Sequence, residues 1–238
     1  MIVFWRLFLT YFLTEFILGF GSTEHRQPTA SHLRRLFLRG GLFLLLALVL
    51  CHGYLTMQWP LLELINLPGW VIIILFSFFC IFTDYFFNFG GKIKYGYTLS
   101  FAVKTFTNLL FLFLCSPLHV LYHTGSFFAE PWTLFFVGLI LSTRVIGLFL
   151  FTLEQDRYGR DFPTFDEQWM LMMARAIFFF IMLLPGYRWV VLLAVWATTC
   201  LYARKIRLLD VSNLVFYGGM SAAVVMGFLI RLRFYLEW

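Results

Sequence analysis

Charge is scarce in this chain. Only 13% of its 238 residues are Asp, Glu, Lys or Arg, where an ordinary soluble domain carries about a quarter. With 61% hydrophobic and 21% aromatic residues, the polar surface is too small to cover a water-soluble globule, so most of the apolar surface has to face lipid. Cysteine is also sparse: Cys51, Cys80, Cys115 and Cys200 each sit inside an apolar run at no metal-like spacing. That argues against a disulfide framework and for small buried hydrophobes. No Gly-rich phosphate loop, nucleophile elbow, His-Glu-x2-His helix or Cys-x2-Cys pair occurs, which removes the common local signatures of soluble catalysis. Period-2 alternation is missing too, and with it the case for a barrel.

What is present is a series of apolar segments. They predict an all-α, polytopic transmembrane helical bundle of about eight spans in a single integral membrane domain, 1–238. The expected spans are 2–20, 36–57, 69–90, 99–122, 131–153, 168–184, 188–203 and 213–230, each near the ~20 residues that cross ~30 Å of hydrocarbon. Ser116-Pro117 is expected to kink the fourth, because proline removes a helix hydrogen bond. Glu130-Pro131 opens the fifth, where a missing N–H costs little. The polar connection Glu154–Glu167 ends in Thr164-Phe165-Asp166-Glu167, a capping-box pattern for the next helix. It is read as a solvated loop, with a cytoplasmic partner docking there as the sharper alternative. Gly219, Ala223 and Gly227 recur every four residues, a close-packing signal for another subunit or a second copy of the chain.

The net charge of +6 does not point to nucleic acid. The basic residues lie mainly in short connections, and alternate loops place eleven Lys/Arg on one side against Arg188, Arg231 and Arg233 on the other. That is the positive-inside pattern, and it sets both termini outside the cytoplasm.

Ionisable residues inside spans are costly, ~2.5–3.5 kcal/mol at a helix centre, so Asp84 in the third span needs a partner. Glu15, Asp84, Lys104, Arg144 and Arg175 all fall in the cytoplasmic half of the bilayer at ~1.5 Å per residue. Lys104 is the expected partner of Asp84, across one short turn. Tyr11 lies four residues before Glu15, Cys80 four before Asp84, and Asn108 four after Lys104, so each pair shares a helix face. His119 and His123 are four apart, with His52 at a similar depth. Two such histidines begin a zinc or haem site, but without a third ligand they read as interfacial side chains. No cofactor is expected.

Leu9–Phe16, Cys80–Asp84, Phe101–Asn108, Arg175 and Tyr217–Ser221 together resemble a bacterial and phage family of small polytopic membrane proteins, a domain of unknown function with His-x3-Asp helix motifs. The resemblance runs over most of the chain and implies a metal-like site with hydrolase potential in a bacterial inner membrane. Where the family has histidine, this chain has Tyr11, Cys80 and Asn108, and Lys104 stands where a carboxylate is expected. A protonated lysine cannot ligate a metal. The resemblance therefore implies a pseudoenzyme in which Lys104 supplies the positive charge. Three readings follow: a non-catalytic membrane subunit or scaffold held by a charge lock, a membrane enzyme acting on a lipid-like substrate, and an ion- or proton-coupled transporter.

Overall fold

The computed structural model describes residues 2–18, 30–61, 65–87, 95–117, 130–159, 165–206 and 211–236. Among them are eight helices and one short hairpin. Helix α1 runs Ile2–Phe12 and continues as a π-helical turn, Leu13–Leu18. Helix α2 is Ala30–Leu50, α3 is Gly69–Phe86 and α4 is Gly96–Cys115. Helix α5 comprises Pro131–Ile140, a π segment Leu141–Val145, and Ile146–Tyr158. Helices α6 (Phe165–Met182) and α7 (Arg188–Lys205) follow. Helix α8 opens with the π segment Leu214–Gly218 and continues as Gly219–Leu236.

Four of these helices are long and apolar enough to cross a membrane among the described residues: Gly69–Phe86, Gly96–Cys115, Pro131–Tyr158 and Leu214–Phe234. This corrects the count of about eight. In α2 the apolar stretch among the described residues is only Phe37–Leu50, and it carries Arg39. Helices α6 and α7 each carry three charged residues within 18. The remaining helix, α1, has Arg6 and Glu15 in a short segment.

Several boundaries also differ from the sequence reading. Helix α4 stops at Cys115 instead of kinking at Pro117. Ser116 turns extended (φ −84°, ψ 141°) because a proline ring disfavours the α region for the residue before it. Helix α2 ends at Leu50; the expected end of its span holds a 3₁₀ turn, His52–Tyr54, and strand β1, Gln58–Leu61, follows it. Strand β1 pairs antiparallel with β2, Ile65–Pro68, in the register Trp59 opposite Leu67. Trp59 is fully buried, donates from Nε1 to Tyr54 O at 3.1 Å, and lies where a Cβ on Gly69 would fall 2.6 Å from its ring. Residues 154–158, read as loop, are the last turn of α5. Gly159 ends that helix at φ 63°, its N–H bonded to Gln155 O, as left-handed glycines do. Thr164 lies outside the described residues.

The chain divides into two compact units, Met1–Leu134 and Phe135–Trp238. The core of unit 1 is aromatic, with Tyr11, Phe12, Phe16, Phe43 and Phe76 buried and the Phe43 ring tilted against that of Phe76 with centroids 4.8 Å apart. All four cysteines are reduced and buried.

In unit 2, Phe151, Leu171, Phe178, Val215, Phe216 and Ala223 form the core. The small-residue stripe is covered here: a Cβ on Gly227 would meet Met182 Cβ at 2.8 Å, and Ala223 has no exposed surface. The end of α6 is capped by Arg231, whose Nη1 donates to Met182 O and Leu184 O and whose Nη2 donates to Gly186 O, with the Trp189 ring 5.2 Å away. A cation on terminal carbonyls contributes roughly 1–2 kcal/mol, so Arg231→Ala should lower stability by about that amount in detergent melts. Arg231→Lys should recover only part, a point charge replacing a planar fork.

Candidate functional site

The four N-terminal helices each deliver one ionised side chain to a common point. Arg39 Nη2 lies 2.8 Å from Glu15 Oε2 and pairs with Asp84 Oδ2. Lys104 Nζ lies 2.5 Å from Glu15 Oε1 and pairs with Asp84 Oδ1. Each carboxylate thus uses one oxygen per cation, and the four groups close into a ring of alternating sign with no net charge. Their side chains are 7 to 20% exposed. A paired and hydrogen-bonded arrangement is what makes buried charge tolerable.

Local structure aims these groups. Glu15 sits in the π-helical turn that ends α1, where Thr14 Oγ1 reaches back to Thr10 O and Tyr11 O at 3.0 Å. A π turn widens the helix and re-aims the residues on it. Asp84 lies in the last turn of α3, and Lys104 lies in the ninth position of α4. Gly40 allows α2 to approach α3 closely, since a Cβ there would be 3.1 Å from Ile81 Cδ1.

Behind the ring runs an uncharged polar chain. Thr83 Oγ1 donates to Asn108 Oδ1 at 2.9 Å, and Asn108 Nδ2 donates to Tyr11 OH at 3.2 Å. Thr83 and Asn108 have no exposed surface and Tyr11 almost none, so these bonds satisfy groups that would otherwise be costly to bury. Cys80 is buried one turn before Asp84. Beside the ring, a cavity of about 10 Å³ is lined by Tyr11, Glu15, Arg39, Phe43, Cys80 and Asp84. That is space for one water at most.

The described side chains therefore bring Tyr11, Glu15, Cys80, Asp84, Lys104 and Asn108 together in unit 1. No family model, curated protein or solved structure matches the chain. The site has to be read from its own geometry.

Two residues of the expected cluster, Arg144 and Arg175, belong to unit 2. Arg144 is partly buried within the π segment of α5. Arg175 is 2% exposed and takes its acceptors from the main chain: Nη1 donates to Thr143 O at 3.4 Å and Nη2 to Val215 O at 3.2 Å. Both carbonyls belong to π segments. Gly147 and Gly219 make room for the guanidinium: a Cβ on the first would lie 2.2 Å from Nη1, and one on the second 2.4 Å from Nε and Nη2.

The sequence reading missed Arg39 and Thr83. Arg39 counts among the eleven loop charges because it closely follows Arg34 and Arg35, although its place within the expected span 36–57 is the available signal. Thr83, next to Asp84, carried none, since a helical threonine most often bonds its own backbone. A second pair also went unread: Arg6 Nε and Nη2 grip Glu130 at 2.9 and 2.6 Å, while Nη1 donates to Leu50 O at 2.8 Å. His52 is exposed, and His119 and His123 lie outside the described residues. Among the described residues no group of three His, Cys, Asp or Glu is placed to hold a metal ion.

Proposed function

We propose that the chain is a non-catalytic integral membrane subunit or scaffold whose four N-terminal helices are locked by the Glu15–Arg39–Asp84–Lys104 ring. The observation that carries this reading is the closure of the ring. Every carboxylate oxygen in it already faces a cation, and the adjoining cavity of about 10 Å³ is far below the 300–1,000 Å³ of ordinary ligand pockets. A general acid or base needs reach to a substrate proton, and here that reach is taken up by Arg39 and Lys104. Placement in a bacterial inner membrane, and kinship with the bacterial and phage family, belong to the same proposal. They rest on the loop charges and on the motif resemblance.

Elemental analysis of detergent-purified protein, wild type beside Asp84→Asn, tests the reading. No stoichiometric metal is expected in either. One equivalent of a divalent metal in the wild type, lost in Asp84→Asn, would replace the lock with a metal centre and reopen hydrolysis of a lipid-like substrate.

A further inference from the structure

Unit 1 has two polar levels, and they are close together. One is the ring. The other is the Arg6–Glu130 pair, where the Arg6 guanidinium also lies 5.5 Å from the Tyr54 ring centroid and 5.8 Å from that of Trp132. Along α1 nine residues separate Arg6 from Glu15. Along α2 eleven separate Arg39 from Leu50, whose carbonyl accepts from Arg6. At 1.5 Å per residue these spans are about 14 and 17 Å. Aromatic residues on the outside of α3 give an independent measure. Trp70 and Tyr85, 49% and 66% exposed, stand fifteen residues apart, about 22 Å, and such residues settle at the headgroup level. A typical hydrocarbon core is ~30 Å thick.

Unit 2 supplies a contrast within the same chain. Along α8 the polar levels are marked by Asn213 just before its first turn, held by Arg204, and by Arg231 at the cap of α6. They are eighteen residues apart, about 27 Å.

We propose that unit 1 is a surface for a thinned bilayer, with the ring at one headgroup level, the Arg6–Glu130 pair at the other, and roughly 15–20 Å of hydrocarbon between them. The competing placement leaves the ring sunk in hydrocarbon of full thickness. Two observations weigh against it. Arg39 and Lys104 keep 20% and 18% of their side chains exposed, a charged edge that is costly against acyl chains and favourable against water and phosphate. Beyond the ring α3 also stops two residues after Asp84, and the first turn of α4 carries Gly96, Tyr97, Thr98 and Ser100 around Leu99. The proposal rests on the chain being an integral membrane protein, as read above, and not on the ring being non-catalytic.

The test uses the full chain in phosphatidylcholine vesicles with monounsaturated acyl chains of fourteen, eighteen and twenty-two carbons. Thermal unfolding is followed by tryptophan fluorescence. The melting temperature should be highest in the shortest lipid and several degrees lower in the longest. Nitroxides on Phe82→Cys and Phe106→Cys, exposed positions two residues from Asp84 and Lys104, should be reached by a water-soluble nickel relaxant in the eighteen-carbon bilayer. A melting temperature that is flat across the series or highest in the longest lipid would overturn the proposal. So would nitroxides shielded at hydrocarbon depth. Failure of the chain to enter any of the vesicles would instead sink the membrane reading itself.

Discussion

Lys104→Met lowers the stability of the detergent-purified protein by about 3–5 kcal/mol, the usual cost of stripping one member from a buried ionic group. For a chain of this size that is a fall in melting temperature of roughly 10 °C. The methionine conserves most of the volume, so the loss is electrostatic. Glu15 and Asp84 are left sharing one guanidinium, and one carboxylate oxygen of each faces no cation. Adding Glu15→Gln to Lys104→Met restores neutrality and should recover more than half of the loss. A Lys104→Met protein as stable as wild type would mean that Lys104 is not the cation the acids depend on. A double variant no better than the single one would mean that its packing, not its charge, matters.

Gly219→Ala should be nearly as damaging. The new Cβ would stand 2.4 Å from Arg175 Nε and Nη2 and 2.5 Å from Cζ, inside any real contact distance. A long side chain can usually swing away from such a clash, but this one is held at both ends of its fork by Thr143 O and Val215 O and has 2% of its surface free. Moving it breaks both bonds and leaves a buried guanidinium unsatisfied, so the cost should reach or exceed the ~1–3 kcal/mol of ordinary overpacking. The coupling identifies the cause. In an Arg175→Met background, whose side chain is shorter and uncharged, Gly219→Ala should cost less than half as much. Equal costs in the two backgrounds would show that the glycine serves its helix and not the arginine.

What could be read from the sequence, and what could not, divides along physical lines. Apolar runs located the eight described helices, because burial in lipid or core leaves the same signature whichever applies. The span number failed for that reason: α6 and α7 are apolar helices whose charges at Asp166, Glu167, Arg175, Arg188, Arg204 and Lys205 exceed what an ordinary span carries. Glu15, Asp84 and Lys104 stood out because a lone charge in an apolar run has to find a partner. Arg39 did not, being masked by its arginine neighbours. The partners of Arg175 were invisible in a different way, since they are main-chain carbonyls within π turns, and every residue type has a carbonyl. The trace left in sequence was Gly147 and Gly219, which say only that something large comes close.

The closure of the ring has one more consequence, in the language of membrane potential. A potential of 100 mV does work of about 2.3 kcal/mol on each elementary charge carried across it. The ring carries two positive and two negative charges at one level, so any movement that keeps it together transfers no net charge and is blind to voltage. A voltage-dependent response in this chain would therefore need its lever outside the four charges of the ring.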